Sequence, residues 1–510
     1  MSNLDQQGTS DVLQYFHEQV RLHPQRTAII CGGDHLTFLE LEYYSNRLAN
    51  LMRSRGVLPG EPVALLLNKD IRTLGCMLAI WKLGALYVPI DPAAPAQKMK
   101  SIFDVCNMRR VVLDSGLNTD FGKNYPEINA IDINAVSFEE YSAVFSCEPI
   151  HQQQLAYMIF TSGSTGVPKG VAISRESLSF FISWCRNSLD ISGEMVALNM
   201  ADFSFDQSVM DIAFLIGSGV TLHVYSGHKD PISIAGYIQR NAINVLSTVP
   251  TIFGLLFDEQ FELSAESFAS LRKVFIGGAA CPAPYVQAFH RMMPTADVYN
   301  MYGPTEVTVY CMFHRFSREE LSHGVSAVEL GKPLPGHEVW LVDDDGNETS
   351  SRGELVVSGP QVMVGYWGST EQTSMVLRES RAGRRGYHTG DIVQRSDGNR
   401  YTFTGRKNET IKSAGYRIDL GEIEAALMSC PNVMHAAAVA VPHTLMENAI
   451  HVFISQGGRG ILDENAVRDH CSTVIPNYMQ PHQVHFLPKL PLNASGKIDK
   501  KRLVNEVEAL

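Results

Sequence analysis

Two alternating patterns organise this chain. Short apolar runs at 62–67, 85–90, 155–160, 196–200, 220–224, 244–248 and 274–277 read as buried strands. Stretches such as 38–56 and 71–83 carry apolar residues at helical spacing and stand between them. Strands separated by helices of about 10–15 residues predict an α/β architecture with mainly parallel sheet. A chain of 510 residues should divide into two or more domains. Turn signals such as Asp343-Asp344-Asp345-Gly346 and Ser396-Asp397-Gly398 mark a β-rich stretch ahead of Gly405-Arg406-Lys407-Asn408. The remainder has its own rhythm: 423–428 and 464–471 read as helices, 436–441 and 452–455 as strands. We therefore expect a large domain over 1–404, built of layered α/β sheets with a β-rich subdomain. A link at 405–408 should lead to a small α+β domain over 409–510.

Charge and cysteine usage narrow the class. A net charge of −12 argues against a general nucleic-acid surface. The nine cysteines are scattered and none forms C-x-x-C, so neither a disulfide framework nor a zinc site is indicated. The first residues are polar and lack an apolar signal core. No apolar run reaches the roughly 18 residues of a membrane span. With 45% apolar and 19% charged residues, a cytoplasmic enzyme with a large core is the expectation.

The most chemically pointed segment is Thr161-Ser162-Gly163-Ser164-Thr165-Gly166-Val167-Pro168-Lys169-Gly170, directly after the apolar run 155–160. Glycines let backbone N–H groups turn toward an anion, hydroxyls add donors, and the lysine adds charge. This composition suits a phosphate-gripping loop. It departs from the G-x-x-x-x-G-K-[ST] loop, because Pro168 precedes the lysine and Gly170 follows it.

Further motifs follow in a fixed order. Before the loop comes Leu83-Gly84-Ala85-Leu86-Tyr87-Val88-Pro89-Ile90-Asp91-Pro92, and after it Phe203-Ser204-Phe205-Asp206-Gln207-Ser208 and Met301-Tyr302-Gly303-Pro304-Thr305-Glu306. Then come Tyr387-His388-Thr389-Gly390-Asp391, Gly405-Arg406-Lys407-Asn408, Gly415-Tyr416-Arg417-Ile418-Asp419 and Pro491-Leu492-Asn493-Ala494-Ser495-Gly496-Lys497. Over nearly its whole length the chain resembles the adenylation domains of nonribosomal peptide synthetases. That superfamily also holds acyl-CoA synthetases and firefly luciferases. Phe203 to Asp206, with Ser208 to Ile212, Ser179-Phe180-Phe181 and Trp184, is similar to D-alanine–carrier protein ligases and other free-standing amino-acid activators.

The resemblance implies two steps. A carboxylate attacks the α-phosphate of ATP, giving an acyl-adenylate and pyrophosphate; a pantetheine thiol then takes the acyl group and releases AMP. For ATP it implies Thr161, Ser162, Gly163, Ser164, Thr165, Gly166 and Lys169 at the β- and γ-phosphates, and Gly278 and Ala279 lining the adenine. Tyr302 would stack on adenine beside Gly303, with Thr305 facing the α-phosphate. Asp391 and Arg406 fall at the ribose. Glu306 matches a Mg2+ ligand, Lys497 the catalytic lysine, Asn408 the hinge where the family usually has aspartate, and Gly415, Tyr416 and Arg417 the face presented to the thiol. The small domain is expected to be mobile.

The implied acid pocket is Asp206, Gln207, Met210, Ser247, Phe275, Gly277, Met301, Val309 and Tyr310. Asp206 would hold a substrate ammonium, and it is the pocket's only charge before the catalytic lysine arrives, so a small neutral α-amino acid is implied: alanine, serine or threonine, of either chirality. No Gly-Gly-x-Ser attachment motif occurs and the chain ends 13 residues past Lys497, so a separate phosphopantetheinylated carrier protein is the expected partner. Arg378, Arg381, Arg384 and Arg385 form a candidate dock for it, with a solvated loop as the plainer reading. A coenzyme A ligase for a small carboxylic acid and a non-catalytic binding component of an assembly line are the alternatives. The intact Lys169, Glu306, Asp391 and Lys497 argue against the second.

Overall fold

The computed structural model describes residues 11–508, apart from 95, 117–120, 136, 148–150, 152, 162–167, 259–260, 380–384, 397–398, 408–409, 414–415, 444–446, 458–461, 476–478 and 494. Helices and strands form where the apolar rhythm placed them. Helix Phe38–Ser54 opens on a capping box, in which Thr37 and Glu40 satisfy each other's backbone N–H groups. Helix Ile71–Lys82 opens on Asp70, whose carboxylate accepts from the N–H groups of Arg72 and Thr73.

Among the described residues, a nine-stranded sheet runs in spatial order Lys332–Pro333, Met312–Arg315, Asp297–Tyr302, Lys273–Gly277, Val245–Thr248, Val196–Asn199, Thr221–Val224, Thr27–Cys31 and Asp34–Thr37. Its centre, from Asp297–Tyr302 to Thr27–Cys31, is parallel; its outer strands are antiparallel. A seven-stranded sheet runs from Gly365–Tyr366 through Lys169–Ser174, Leu155–Thr161, Leu86–Pro89, Pro62–Leu66 and Arg110–Leu113 to Asn129–Asp132; it is parallel from Leu155–Thr161 onward and antiparallel at its Gly365–Tyr366 side. The pleat sorts neighbouring residues onto opposite faces. Val63 and Leu65 enter one core cluster while Ala64 and Leu66 enter another; Val245 and Leu246 divide in the same way. The shared cluster is filled by helices Val12–Leu22, Phe38–Ser54, Ile71–Lys82, Arg175–Ser188 and Gln207–Ser218, which lie between the sheets.

The β-rich part is a six-stranded antiparallel sheet that includes Arg352–Ser358, Arg385–Ser396 and Arg400–Arg406. Its strand Arg400–Arg406 carries the large domain past residue 404, into the expected 405–408 link. Beyond that link, a three-stranded sheet of Val433–His443, Glu447–Gln456 and Gln483–Phe486 is covered on its two faces by separate small cores. No helix among the described residues is long and apolar enough to cross a membrane.

Candidate active site

The parallel strands of the large sheet deliver their carboxyl ends to one edge, the usual position for a ligand crevice in α/β sheets. Register builds the acid pocket there. Ser247 pairs with Phe275, and two residues on, Gly277 pairs with Met301, so four expected pocket residues occupy adjacent strands. Helix Gln207–Ser218 places Met210 against them, with Ser247 Oγ 3.9 Å from Met210 Sδ. Gln207 Nε2 donates to Ser247 Oγ at 3.4 Å. A Cβ added at Gly277 would lie 2.5 Å from the Tyr310 ring, so the glycine exists to admit that ring. The Tyr310 hydroxyl is buried and forms no hydrogen bond of normal geometry; Ser247 is a polar neighbour. Gly303 is needed for a similar reason: a Cβ there would meet Tyr310 Cα at 2.5 Å.

Asp206 occupies the cap position of helix Gln207–Ser218, yet its side chain makes no cap hydrogen bond of normal geometry; the Gln207 N–H is only a neighbour. Its carboxylate meets the Thr305 hydroxyl and feels the ammonium of Lys497 from the small domain. Burial pushes its pKa up; Thr305 and Lys497 pull it down, and the negative charge of Glu306 pushes it up again. Lys497 is presented by a turn in which Asn493 Oδ1 accepts from the Lys497 N–H at 3.0 Å, with Gly496 at φ +78°.

The ATP side forms around two carboxylates. Glu306 sits in the short 3-10 turn Thr305–Val307, and its Oε1 accepts the Tyr366 hydroxyl at 2.7 Å. The Lys169 ammonium lies 5.1 Å from the centre of the same Tyr366 ring. Asp391 Oδ2 accepts the Tyr302 hydroxyl at 2.6 Å, and Asp391 Oδ1 accepts Arg406 Nε at 2.6 Å. The Asp391 charge raises the Arg406 pKa, and burial raises that of the Tyr302 hydroxyl, so both groups stay protonated donors. Gly278, at φ +87°, and Ala279 follow the strand ending at Gly277.

Thr161 and Lys169 face each other across an antiparallel strand pair and flank the segment expected to grip phosphate. Ser162, Gly163, Ser164, Thr165, Gly166, Asn408, Gly415, Arg381 and Arg384 lie outside the described residues. Tyr416 and Arg417 open strand Tyr416–Asp419, on the far side of the link from the pocket.

Sequence reasoning missed Thr308, Gln361 and Tyr366 here, though it placed Val309 in the pocket. Thr308 and Val309 hold φ of +50° and +70°, a costly conformation for β-branched side chains. Gln361, fully buried, holds it: its Nε2 donates to the carbonyls of Thr308 and Tyr310 at 2.9 Å each, and its backbone carbonyl accepts the Thr308 hydroxyl at 2.6 Å. The third is Tyr366, which holds Glu306. No local spacing announces Gln361 or Tyr366, because each meets its partner only through tertiary packing. A cavity of about 510 Å3 has Phe203 and Ser204, just ahead of Asp206, in its wall, together with Lys69, Asp91 and Tyr225.

Residues 16–367 match the AMP-binding enzyme family, and residues 422–497 match the AMP-binding enzyme C-terminal domain. The chain belongs to this family and is an AMP-forming ligase. It is 32% identical to the L-proline–[L-prolyl-carrier protein] ligase of Streptomyces coelicolor, with 97% of this chain and 96% of that protein covered. It is 30% identical to a portion of gramicidin S synthase 2 of Brevibacillus brevis, in a match that spans 96% of this chain and 11% of that protein. Its fold matches an anthranilate CoA ligase in complex with anthranoyl-AMP, with a TM-score of 0.86, 21% identity and 100% of both chains covered. It also matches ATP-bound MatB from Rhodopseudomonas palustris, with a TM-score of 0.85, 21% identity, and 98% of this chain and 99% of that one covered.

Proposed function

We propose that this enzyme uses ATP to activate a small neutral α-amino acid as aminoacyl-AMP and passes it to the pantetheine thiol of a separate carrier protein. The observation that carries the reading is Asp206, a carboxylate at the start of a helix to which it makes no cap hydrogen bond of normal geometry, beside expected pocket residues that are themselves uncharged. A buried carboxylate needs a cationic partner. A substrate ammonium supplies it while the substrate carboxylate points toward Lys497. The carrier-protein ligase from Streptomyces supports the second step.

Tyr310 over Gly277 leaves little depth, and Gln207, Ser247 and Tyr310 supply polar groups. These features favour alanine, serine or threonine over proline, with either chirality. In the adenylating step Lys497 stabilises negative charge between the substrate carboxylate and the α-phosphate. Asp391 and Arg406 orient the ribose, and Lys169 draws the terminal phosphates. Glu306 fits a Mg2+ ligand: it is a carboxylate, the oxygen donor that a hard cation prefers, held in place by the Tyr366 hydroxyl. No cluster of three or more metal-binding side chains forms among the described residues, so phosphates and water would complete its shell.

The test is amino-acid-dependent pyrophosphate exchange over a panel that includes proline and D-isomers, followed by thioester formation with carrier protein or free coenzyme A. Exchange with alanine, serine or threonine, and transfer to carrier, are expected. Exchange only with acids that lack an α-amine, or transfer only to coenzyme A, would refute the reading.

A further inference from the structure

Arg406 and Lys407 stand at the end of the large domain, and each grips a carboxylate. Arg406 holds Asp391, as described. Lys407 Nζ donates to Glu354 Oε2 at 3.2 Å. Glu354 lies in strand Arg352–Ser358 and is 7% exposed. Its other oxygen accepts the N–H of Gly390 at 3.0 Å, and His388 Nδ1 lies 3.6 Å from Oε2. Gly390 has φ +70° and directly precedes Asp391. One buried carboxylate therefore ties the ribose-side turn to the segment from which the small domain departs. Burial alone would raise the Glu354 pKa, but His388 and Lys407 hold it down at about 2, so the anchor stays charged across the working pH range. Asn408, next in sequence, has no charge of its own.

We propose that the Glu354–Lys407 ion pair is a positioning device for Lys497. It fixes the pivot of the small domain against the ribose site, and so sets where the lysine stands relative to Asp206 and the reacting carboxylate. Neither residue touches the substrate pocket. The lever is geometric: the small domain carries Lys497 as a unit, and a shift of about 1 Å at a reacting group can cost about a hundredfold in rate. The inference rests on the adenylation reading above.

The test compares Lys407→Met, Lys407→Arg and Lys407→Met combined with Lys497→Ala, all in the full chain. Lys407→Met is expected to lower kcat for pyrophosphate exchange about ten- to a hundredfold, with both KM values within about twofold. Transfer from supplied aminoacyl-AMP should be spared, and Lys407→Arg should keep most of the rate. In the Lys497→Ala background, Lys407→Met should add almost nothing, because the loss runs through that lysine. An undiminished kcat, a loss of equal size without Lys497, or a rise confined to the KM for ATP would each overturn the proposal. If Lys407→Met lowers the melting temperature, Glu354→Gln, which keeps the shape and the Gly390 bond, carries the same comparison. Failure of the reading beneath is distinguishable, since a wild-type enzyme inert toward every amino acid would show it before any variant is made.

Discussion

At the scale of single residues, the proposed function assigns charge recognition to Asp206 and control of volume to Gly277. Asp206→Asn should cut amino-acid activation by two to four orders of magnitude, since removing one partner of a buried charge pair costs about 3–5 kcal/mol. Binding of an ATP analogue should survive. Because burial raises the Asp206 pKa and only the ionised form attracts an ammonium, the amino-acid KM should climb as pH falls through that raised value. The Asn variant should lack this limb, and an unchanged kcat/KM would reduce Asp206 to a structural role. Gly277→Ala forces the Tyr310 ring to move, since the new carbon would sit 2.5 Å from it. Preference should then shift toward glycine and alanine, and away from threonine, by about ten- to two-hundredfold. If only the KM for ATP changes, the glycine serves the adenine side alone.

At the scale of elements, antiparallel strands at the sheet margins bring the site together. The hairpin from Leu155–Thr161 to Lys169–Ser174 sets Lys169 over Tyr366, and the β-rich sheet pairs Asp391 with Arg406. Strand Arg352–Ser358 adds Glu354, which makes an acid-stability prediction. The folded chain holds its carboxyl at about 2, against an ordinary value of 4.5. Its stabilising contribution is therefore complete above the ordinary value and is lost as pH falls through about 2. The loss is at most about 3 kcal/mol. Glu354→Gln should flatten the acid limb of a denaturation profile between those values. An unaltered limb would mean that Lys407 and His388 do not hold the carboxylate in solution. The single-strand signals were legible because a short continuous apolar run is a local property of the chain; Glu354 and Gln361 were not, because their partners lie far away in sequence.

At the scale of the whole molecule, the Lys497 ammonium, carried beyond the link, acts on Asp206 from a distant part of the chain. Lys497→Ala should nearly abolish adenylate formation, measured by pyrophosphate exchange, yet spare thioester formation from supplied aminoacyl-AMP. The lysine stabilises charge only while carboxylate attacks phosphate, and a charge contact of about 4 kcal/mol corresponds to roughly a thousandfold in rate. Equal loss in both half-reactions of a folded variant would show that the lysine instead holds the two domains together.

The sequence alone determined the alternation of strand and helix and the order of the motifs, and with them the family. These are properties of neighbours along the chain: apolar period, turn chemistry and residue type within a few positions. Tertiary structure alone decided that Asp206 makes no cap hydrogen bond of normal geometry and that the Tyr310 ring fills the space above Gly277. It also decided that Gln361 holds Thr308 and Val309 in a left-handed turn and that Glu354 ties Lys407 to the ribose side. Each of these depends on which distant groups share a desolvated volume, and short-range pattern carries no record of that.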